Sequence, residues 1–296
     1  MLFATLTQYI APQKTLSRIV RAATRWTWQP WKDFLIDRVI HAYGVDMTEA
    51  AQPDPAAYPS FNAFFTRALR EGARHAAGNA NTILSPADGR ISQIGRIEGG
   101  RILQAKGRSY TVAELLADAD VADRYRDGSF ATIYLSPRDY HRVHMPLDGE
   151  LIETVHVPGR LFSVAPGPVA DIPRLFARNE RLVCHFEGAR GPFVVAMVGA
   201  MLVSGITTVW DGPIAPPYAR TVVKRDWRGR GIRLARFAEM ARFEMGSTVI
   251  VLLPAGLFDP DRQAENPVRL GQRLGDLSSA RDQGTIHAFR GNGGAA

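Results

Sequence analysis

Three short stretches of the chain hold side chains able to do acid–base or nucleophilic chemistry. SPADGRIS places Asp88 beside Gly89, YLSPRDYHRVHMP sets His141 and His144 between Pro137 and Pro146, and MGST supplies Ser247. A carboxylate, an imidazole and a hydroxyl are the parts of a nucleophile relay. The imidazole accepts the hydroxyl proton while the carboxylate fixes its tautomer. Each part also has a plainer reading. Asp-Gly is a common turn pair. Two histidines three apart lack both the H-E-x-x-H spacing and a nearby third ligand, so no metal site is expected. Gly246-Ser247 ahead of an apolar run can be simply a turn. The chain order Asp, His, Ser keeps a serine hydrolase with an Asp88–His144–Ser247 triad among the readings, although no G-x-S-x-G elbow accompanies it.

These residues need a scaffold, and the sequence sketches one. Ser247 heads the run STVIVLL, whose β-branched and apolar residues ask for a buried strand. From Ile83 onward short β-rich runs follow one another between Gly, Pro and Asp-Gly breaks, with one helix expected near Thr111 to Leu116. The apolar run Phe193 to Ile206 reads as a buried strand pair and is too short to span a bilayer. Three helical patterns precede this part. Leu16, Ile19, Val20, Ala23 and Trp26 share one helical face, with Arg18, Arg21 and Arg25 opposite. A second helix runs from about Trp31 to Gly44. A third starts after Ser60 as N-cap and aligns Phe61, Phe64, Phe65, Ala68 and Leu69. The expected fold is α+β, a mostly β catalytic domain over 76–296 preceded by amphipathic helices over 1–75.

Composition narrows the partners. The 296 residues carry a formal charge of +7, and arginine dominates because only Lys14, Lys32, Lys106 and Lys224 are lysines. Such a balance suits nucleic acid, an anionic membrane surface or an acidic substrate. No nucleic-acid motif accompanies the charge, so no nucleic-acid partner is expected. The single cysteine, Cys184, excludes an intrachain disulfide and a cysteine zinc site. The first residues, MLFATLTQYIAPQK, lack the basic start and cleavage site of a signal peptide, and the tail RGNGGAA reads as disordered.

Taken in order, ILSPADGRISQIGRI, LQAKGRSYTVAELL, YLSPRDYHRVHMP, VPGRLFSV, LFARNERLV and FEMGSTVIVLLP closely resemble the phosphatidylserine decarboxylases, in their membrane-associated, pyruvoyl-dependent bacterial form. YGVDMTEAAQPDPAAYPSFNAFFTRALR resembles them too, so the likeness runs from about Tyr43 to Pro254. It implies a zymogen that cuts itself between Gly246 and Ser247 into a β chain 1–246 and an α chain 247–296, a heterodimer that the family also allows to dimerise further. It assigns Asp88, His144 and Ser247 to maturation, with Ser247 becoming a covalent pyruvoyl group. That group forms a Schiff base with phosphatidylserine and serves as electron sink for loss of CO2, giving phosphatidylethanolamine. The same likeness puts His141 at the decarboxylation step. An extended backbone would aim positions 141 and 144 to opposite faces, whereas one helical turn would put them together. Met245 departs from the family's usual leucine, a change of similar volume that should leave cleavage intact.

A substrate with two acyl chains stays in its bilayer, so the resemblance implies a peripheral enzyme on the cytoplasmic side of the cell membrane. Trp26, Trp28, Trp31 and Phe34 beside Arg18, Arg21, Arg25, Lys32 and Arg38 fit an interfacial helix on an anionic leaflet. The plainer alternative is a helix packed by its apolar face, with a solvated basic face. A lipid-binding module without catalysis is a further alternative.

Overall fold

The computed structural model describes residues 8–201, 205–218 and 220–278. The expected α+β build is present: a helical N-terminal layer is followed by a mostly β domain. Helices α1 (Gln13–Arg25) and α2 (Gln29–Tyr43) lead to the short α3 (Phe61–Phe65). Gly44 closes α2 at φ 65, a left-handed turn that glycine adopts without strain. Ser60 caps α3 by accepting the Ala63 N–H at 3.2 Å. The third helix is shorter than expected. Thr66 turns its hydroxyl back onto the Asn62 carbonyl at 2.9 Å, and Leu69 leaves the helical pattern to bridge Ala50.

The strands used below are β1 (Gly89–Arg96), β2 (Ser129–Leu135), β3 (Arg142–His144), β4 (Gly149–Val157), β5 (Arg181–Gly188) and β6 (Gly191–Val198). They continue with β7 (Ile206–Thr208), β8 (Gly212–Ala215), β9 (Val223–Asp226), β10 (Arg233–Leu234), β11 (Glu239–Phe243), β12 (Ser247–Leu253) and β13 (Pro267–Val268). A nine-stranded antiparallel sheet runs β9-β4-β5-β6-β12-β2-β1-β13, with β10 also on β4. Strand β12 lies inside it, paired with β2 and β6, and all seven of its residues are buried. That explains its unbroken β-branched run, since neither face meets water. A four-stranded sheet, β8-β7-β11-β3, delivers the histidines.

Two expectations change. The run Phe193 to Ile206 is not a strand pair: Gly191–Val198 joins the large sheet, whereas Ile206–Thr208 joins the smaller one. Helix is also more plentiful than the one element near Thr111 to Leu116. That helix forms over Val112–Leu116 behind a Thr111–Glu114 capping box, but Ala119–Ala122, Pro166–Asp171 and Leu175–Arg178 are helical too. They span six residues or fewer, too short for a 3.6-residue periodicity to show in sequence. The RGNGGAA tail lies outside the described residues.

Helix α1 is inverted relative to a helix packed by its apolar face. Its buried residues are Gln13, Ser17 and Thr24, while Ile19 is 60% exposed. Ile10, Leu16, Trp26, Trp28 and Phe34 continue the exposed apolar surface. The polar face turns inward because it has partners there: the Gln13 side chain accepts the Leu161 N–H at 2.8 Å, and Arg21 and Arg25 reach Glu244. Arg21 and Arg25 are therefore not part of a basic outer face. Neither is Lys32, which is buried and donates to Asp33 and to the Ala56 carbonyl at 2.9 Å.

Candidate active site

Backbone pairing gathers the three candidate segments. Ser247, first residue of β12, pairs with Leu135, the last residue of β2. The chain then turns through Ser136 to Asp139, where Asp139 Oδ2 accepts from the Ser136 N–H at 2.7 Å and its hydroxyl at 2.6 Å. His141 follows, and its carbonyl accepts the Phe243 N–H at 2.9 Å, four residues before Ser247. The His144 N–H donates to the Pro86 carbonyl at 2.8 Å, tying β3 to the turn that carries Asp88. The extended geometry of β3 separates the imidazoles. His141 stacks on Phe65 with ring centroids 4.0 Å apart, and His144 lies between Tyr140 and Phe237.

Both rings are neutral bases. His141 Nδ1 lies 2.7 Å from the Asp139 carbonyl, which can only accept, so the proton sits on Nδ1 and Nε2 keeps its lone pair. The same logic applies to His144, whose Nδ1 is 2.7 Å from the Phe237 carbonyl. Its Nε2 accepts from the Tyr140 hydroxyl at 3.1 Å. Burial pushes the His141 imidazole down to about 3 and lowers that of His144 as well. His141 Nε2 and Ser247 Oγ are buried and have no hydrogen-bond partner among the described residues. Other buried polar atoms share that state, among them His185 Nε2 and Thr248 Oγ1, so it is the strained junction beside Ser247 and not the missing partner that sets this hydroxyl apart.

Asp88 is occupied elsewhere. It accepts from Arg74 Nε at 3.0 Å, Arg74 Nη2 at 2.5 Å and the Leu270 N–H at 2.7 Å. Its charge reaches His144 through space without a hydrogen bond to the ring. Tyr140, which does touch that ring, was missed from sequence although it sits inside the YHRVH stretch, because a tyrosine carries no spacing signal. Arg74 was missed because REGARH reads as a solvated loop.

The junction before Ser247 is strained. Met245 has φ 106, outside the regions open to a residue with a side chain, and Gly246 follows at φ 25. A Cβ on Gly246 would meet nothing within 4 Å, so glycine is needed here for conformation and not for space. The residues flanking the junction are gripped by the helical layer. Met245 packs against the cluster of Ile36, Phe61 and Phe65, and the Glu244 carboxylate takes Arg21 Nη1 at 3.3 Å, Arg25 Nη2, and the Thr207 hydroxyl at 3.1 Å. Among the described residues no cluster of His, Cys, Asp and Glu is arranged to hold a metal ion.

A β-rich core with buried histidines and a strained serine junction, covered by a helical layer in which α2 and α3 bury apolar residues and α1 turns its own outward, is a build suited to an enzyme. Comparison with known proteins is specific. The family model described as phosphatidylserine decarboxylase matches residues 61–276, and one described as PSD matches residues 3–44. The chain is 56% identical over 276 residues to the phosphatidylserine decarboxylase proenzyme of Xanthomonas axonopodis pv. citri (strain 306), covering 93% of this chain and 99% of that one. It is 56% identical over 279 residues to that of Stenotrophomonas maltophilia (strain R551-3), covering 94% and 100%. With that of Xylella fastidiosa (strain M12) it shares 57% over 276 residues, covering 93% and 94%. The chain belongs to the phosphatidylserine decarboxylase family. Membership gives the serine-hydrolase reading no support.

Proposed function

We propose that the chain is a self-processing proenzyme which cuts its own Gly246–Ser247 bond and then converts phosphatidylserine to phosphatidylethanolamine and CO2. The observation that carries this reading is the buried, unpartnered Ser247 Oγ directly after the strained pair Met245 (φ 106) and Gly246 (φ 25). In the proposed first step a neutral histidine Nε2 takes the Ser247 hydroxyl proton, and Oγ attacks the Gly246 carbonyl carbon. The C–N bond breaks as the amide moves to an ester, and distortion at Met245 and Gly246 is relieved. Loss of the Ser247 Cα proton expels Gly246 as a carboxylate and leaves an enamine, which water converts to a ketone with release of ammonia.

His144 is our choice for the first base. Its Nε2 lone pair is held by Tyr140, its backbone is tied to the Asp88 turn, and the Asp88 charge favours the imidazolium that forms. Asp88 acts there through space, an adjustment to the hydrogen-bonded relay suggested by sequence. His141, with its free Nε2 in a dry setting against Phe65, is assigned to the decarboxylation step.

The residues fit a pyruvoyl group made from Ser247. The Ser247 hydroxyl makes no hydrogen bond in β12, so its conversion would break none. That group supplies the electron sink for departure of CO2. The chain's own contribution is a pair of neutral imidazoles on the neighbouring segment and a Ser247 position shut off from water.

We assign residues 1–75 to membrane association and 76–296 to catalysis. The outward Ile19, Trp26, Trp28 and Phe34 support docking on a bilayer, because an exposed apolar stripe flanked by tryptophans is suited to the headgroup boundary, and we assign the cytoplasmic leaflet on the family likeness alone. No helix among the described residues is long and apolar enough to cross a membrane.

The test is the intact mass of the purified chain beside a Ser247→Ala variant. Two fragments split after Gly246, the smaller lighter than a hydrolytic product by one ammonia, support the proposal. An uncut chain matching the Ala variant would sink it.

A further inference from the structure

A polar cavity of about 340 Å³ opens beside the site, with Asp88, Asp139 and Tyr140 in its wall and four arginines around it. Three of the arginines face carboxylates: Arg74 meets Asp88 at 2.5 Å, Arg269 meets Glu49 at 2.7 Å, and Arg138 lies 3.9 Å from Asp139. The fourth, Arg67, has no carboxylate within 4.0 Å among the described residues. It is only 5% exposed and sits just past the end of α3, with its guanidinium over the Phe64 ring at 5.2 Å. Nη2 donates to the Arg138 carbonyl at 3.2 Å, while Nε and Nη1 have no acceptor.

A guanidinium cannot escape this situation by losing its proton. Asp88, Asp139 and Glu49 act on it only from a distance, and a buried cation with free N–H donors and no carboxylate in contact is costly; the group that offsets such a cost is an oxyanion. The cavity connects that cation to the chemistry, since Tyr140 both lines it and donates to His144. Its volume suits a polar headgroup and is too small for a diacyl lipid body. On the reading that phosphatidylserine is the substrate, two oxyanions arrive with each molecule, the serine carboxylate and the phosphate diester.

We propose that Arg67 is the anion anchor of this cavity, binding an oxyanion of the lipid headgroup through the donors that now lack acceptors. The helical layer would then supply a substrate contact, as well as a membrane contact, from the second residue past α3.

The experiment uses Arg67→Gln and Arg67→Lys in full-length, self-cleaved protein, with decarboxylation followed by CO2 release from phosphatidylserine vesicles. Loss of charge-assisted hydrogen bonds should raise KM about 10- to 100-fold in Arg67→Gln, with a smaller change in kcat and partial recovery in Arg67→Lys. Glycerophosphoserine, glycerophosphoethanolamine and inorganic phosphate, added as inhibitors, identify the oxyanion. If inhibition by the first two weakens equally, the anchor holds phosphate. If only glycerophosphoserine weakens, it holds the carboxylate. If inorganic phosphate alone weakens, the cavity takes free anions and the proposal falls. Unchanged KM and unchanged inhibition in a folded Arg67→Gln overturn it as well. Should Arg67→Gln fail to fold, Arg67→Lys decides alone, and an unaltered KM there is equally fatal. Calorimetric binding of glycerophosphoserine to uncut Ser247→Ala protein, with and without Arg67→Lys, keeps the anchor measurable even if the wild type never cleaves itself.

Discussion

Replacing Glu244 by glutamine keeps the shape of the side chain and an acceptor oxygen but removes the charge that Arg21 and Arg25 share. A hydrogen bond to a charged group contributes roughly 1.5–3 kcal/mol. Two arginines are involved, and their side chains keep 27% and 31% of their exposure against 9% for Glu244, so solvent screening cuts the total. A loss of about 2 kcal/mol is the expected result. That figure matters because Met245, the next residue, holds φ 106 at a cost of roughly 1–3 kcal/mol. The clamp and the strain are of similar size, so releasing the clamp lets Met245 relax and depopulates the bent junction. Self-cleavage should slow by about ten- to thirtyfold, and amide exchange should rise over residues 13–25 while the β12 amides stay protected. The assays are a cleavage time course by intact mass and peptide-resolved hydrogen exchange. Faster exchange in α1 with an unaltered cleavage rate would refute the coupling. No change in either would show that the Arg21–Arg25–Glu244 contact is idle.

Three other perturbations test separate parts of the reasoning. Gly205→Ala would put a Cβ 2.4 Å from the Ala215 carbonyl oxygen and 2.5 Å from Glu244 Oε2, so stability should fall by about 1–3 kcal/mol in a denaturant titration. Exchanging Ile19 and Trp28 for glutamate should abolish sedimentation with anionic vesicles while leaving the melting temperature within about 2 °C, because both are largely exposed. Burial holds His141 down to about 3 and His185 to about 4, so protons bind the unfolded chain first. Their stabilisation is therefore complete above the ordinary histidine value of about 6.5 and is lost as pH falls toward the folded values. Each should remove about 2 kcal/mol by pH 5. Asp139, raised by burial, works the opposite way at lower pH. A stability that stays flat between pH 7.5 and 5 would mean that the two rings take up protons inside the folded protein.

The sequence made the candidate chemistry legible wherever it was written in short, contiguous strings. Asp88, His141, His144 and Ser247 each sit in a stretch whose turn residues or β-branched neighbours announce a special position, and β12 could be read from STVIVLL alone. What could not be read was pairing across the chain. Arg74 reaches Asp88 over 14 positions, His144 takes Phe237 over 93, and Arg25 takes Glu244 over 219. No local pattern encodes such separations, which is why the sequence suggests a hydrogen-bonded Asp88–His144 pair while the structure gives Asp88 to Arg74. The scattered short helices failed for a different reason. With four to six residues each they are set by their caps and tertiary contacts and not by a repeating face.

Helix α1 shows how a correct periodicity can leave orientation undetermined. Leu16, Ile19 and Trp26 do share a face, and in a helix supported only by its own protein that face would be buried. Here the opposite face is held instead by specific polar contacts: Gln13 on the Leu161 amide, and Arg21 and Arg25 on Glu244. Such contacts, about 0.5–1.5 kcal/mol for the neutral one and roughly 1.5–3 for one to a charge, together rival the burial of a leucine or two, and they need fixed partners that the β domain provides. The apolar stripe is left for another phase. If a bilayer fills that role, the face that meets lipid and the face that grips the residue two before the Gly-Ser junction belong to one rigid helix. A vesicle that orders α1 would then favour the bent junction by the same contacts that glutamine at position 244 would weaken. Adding anionic vesicles should speed cleavage of the wild-type chain and leave the Glu244→Gln rate unmoved. Equal acceleration of both would place the membrane's influence outside this helix.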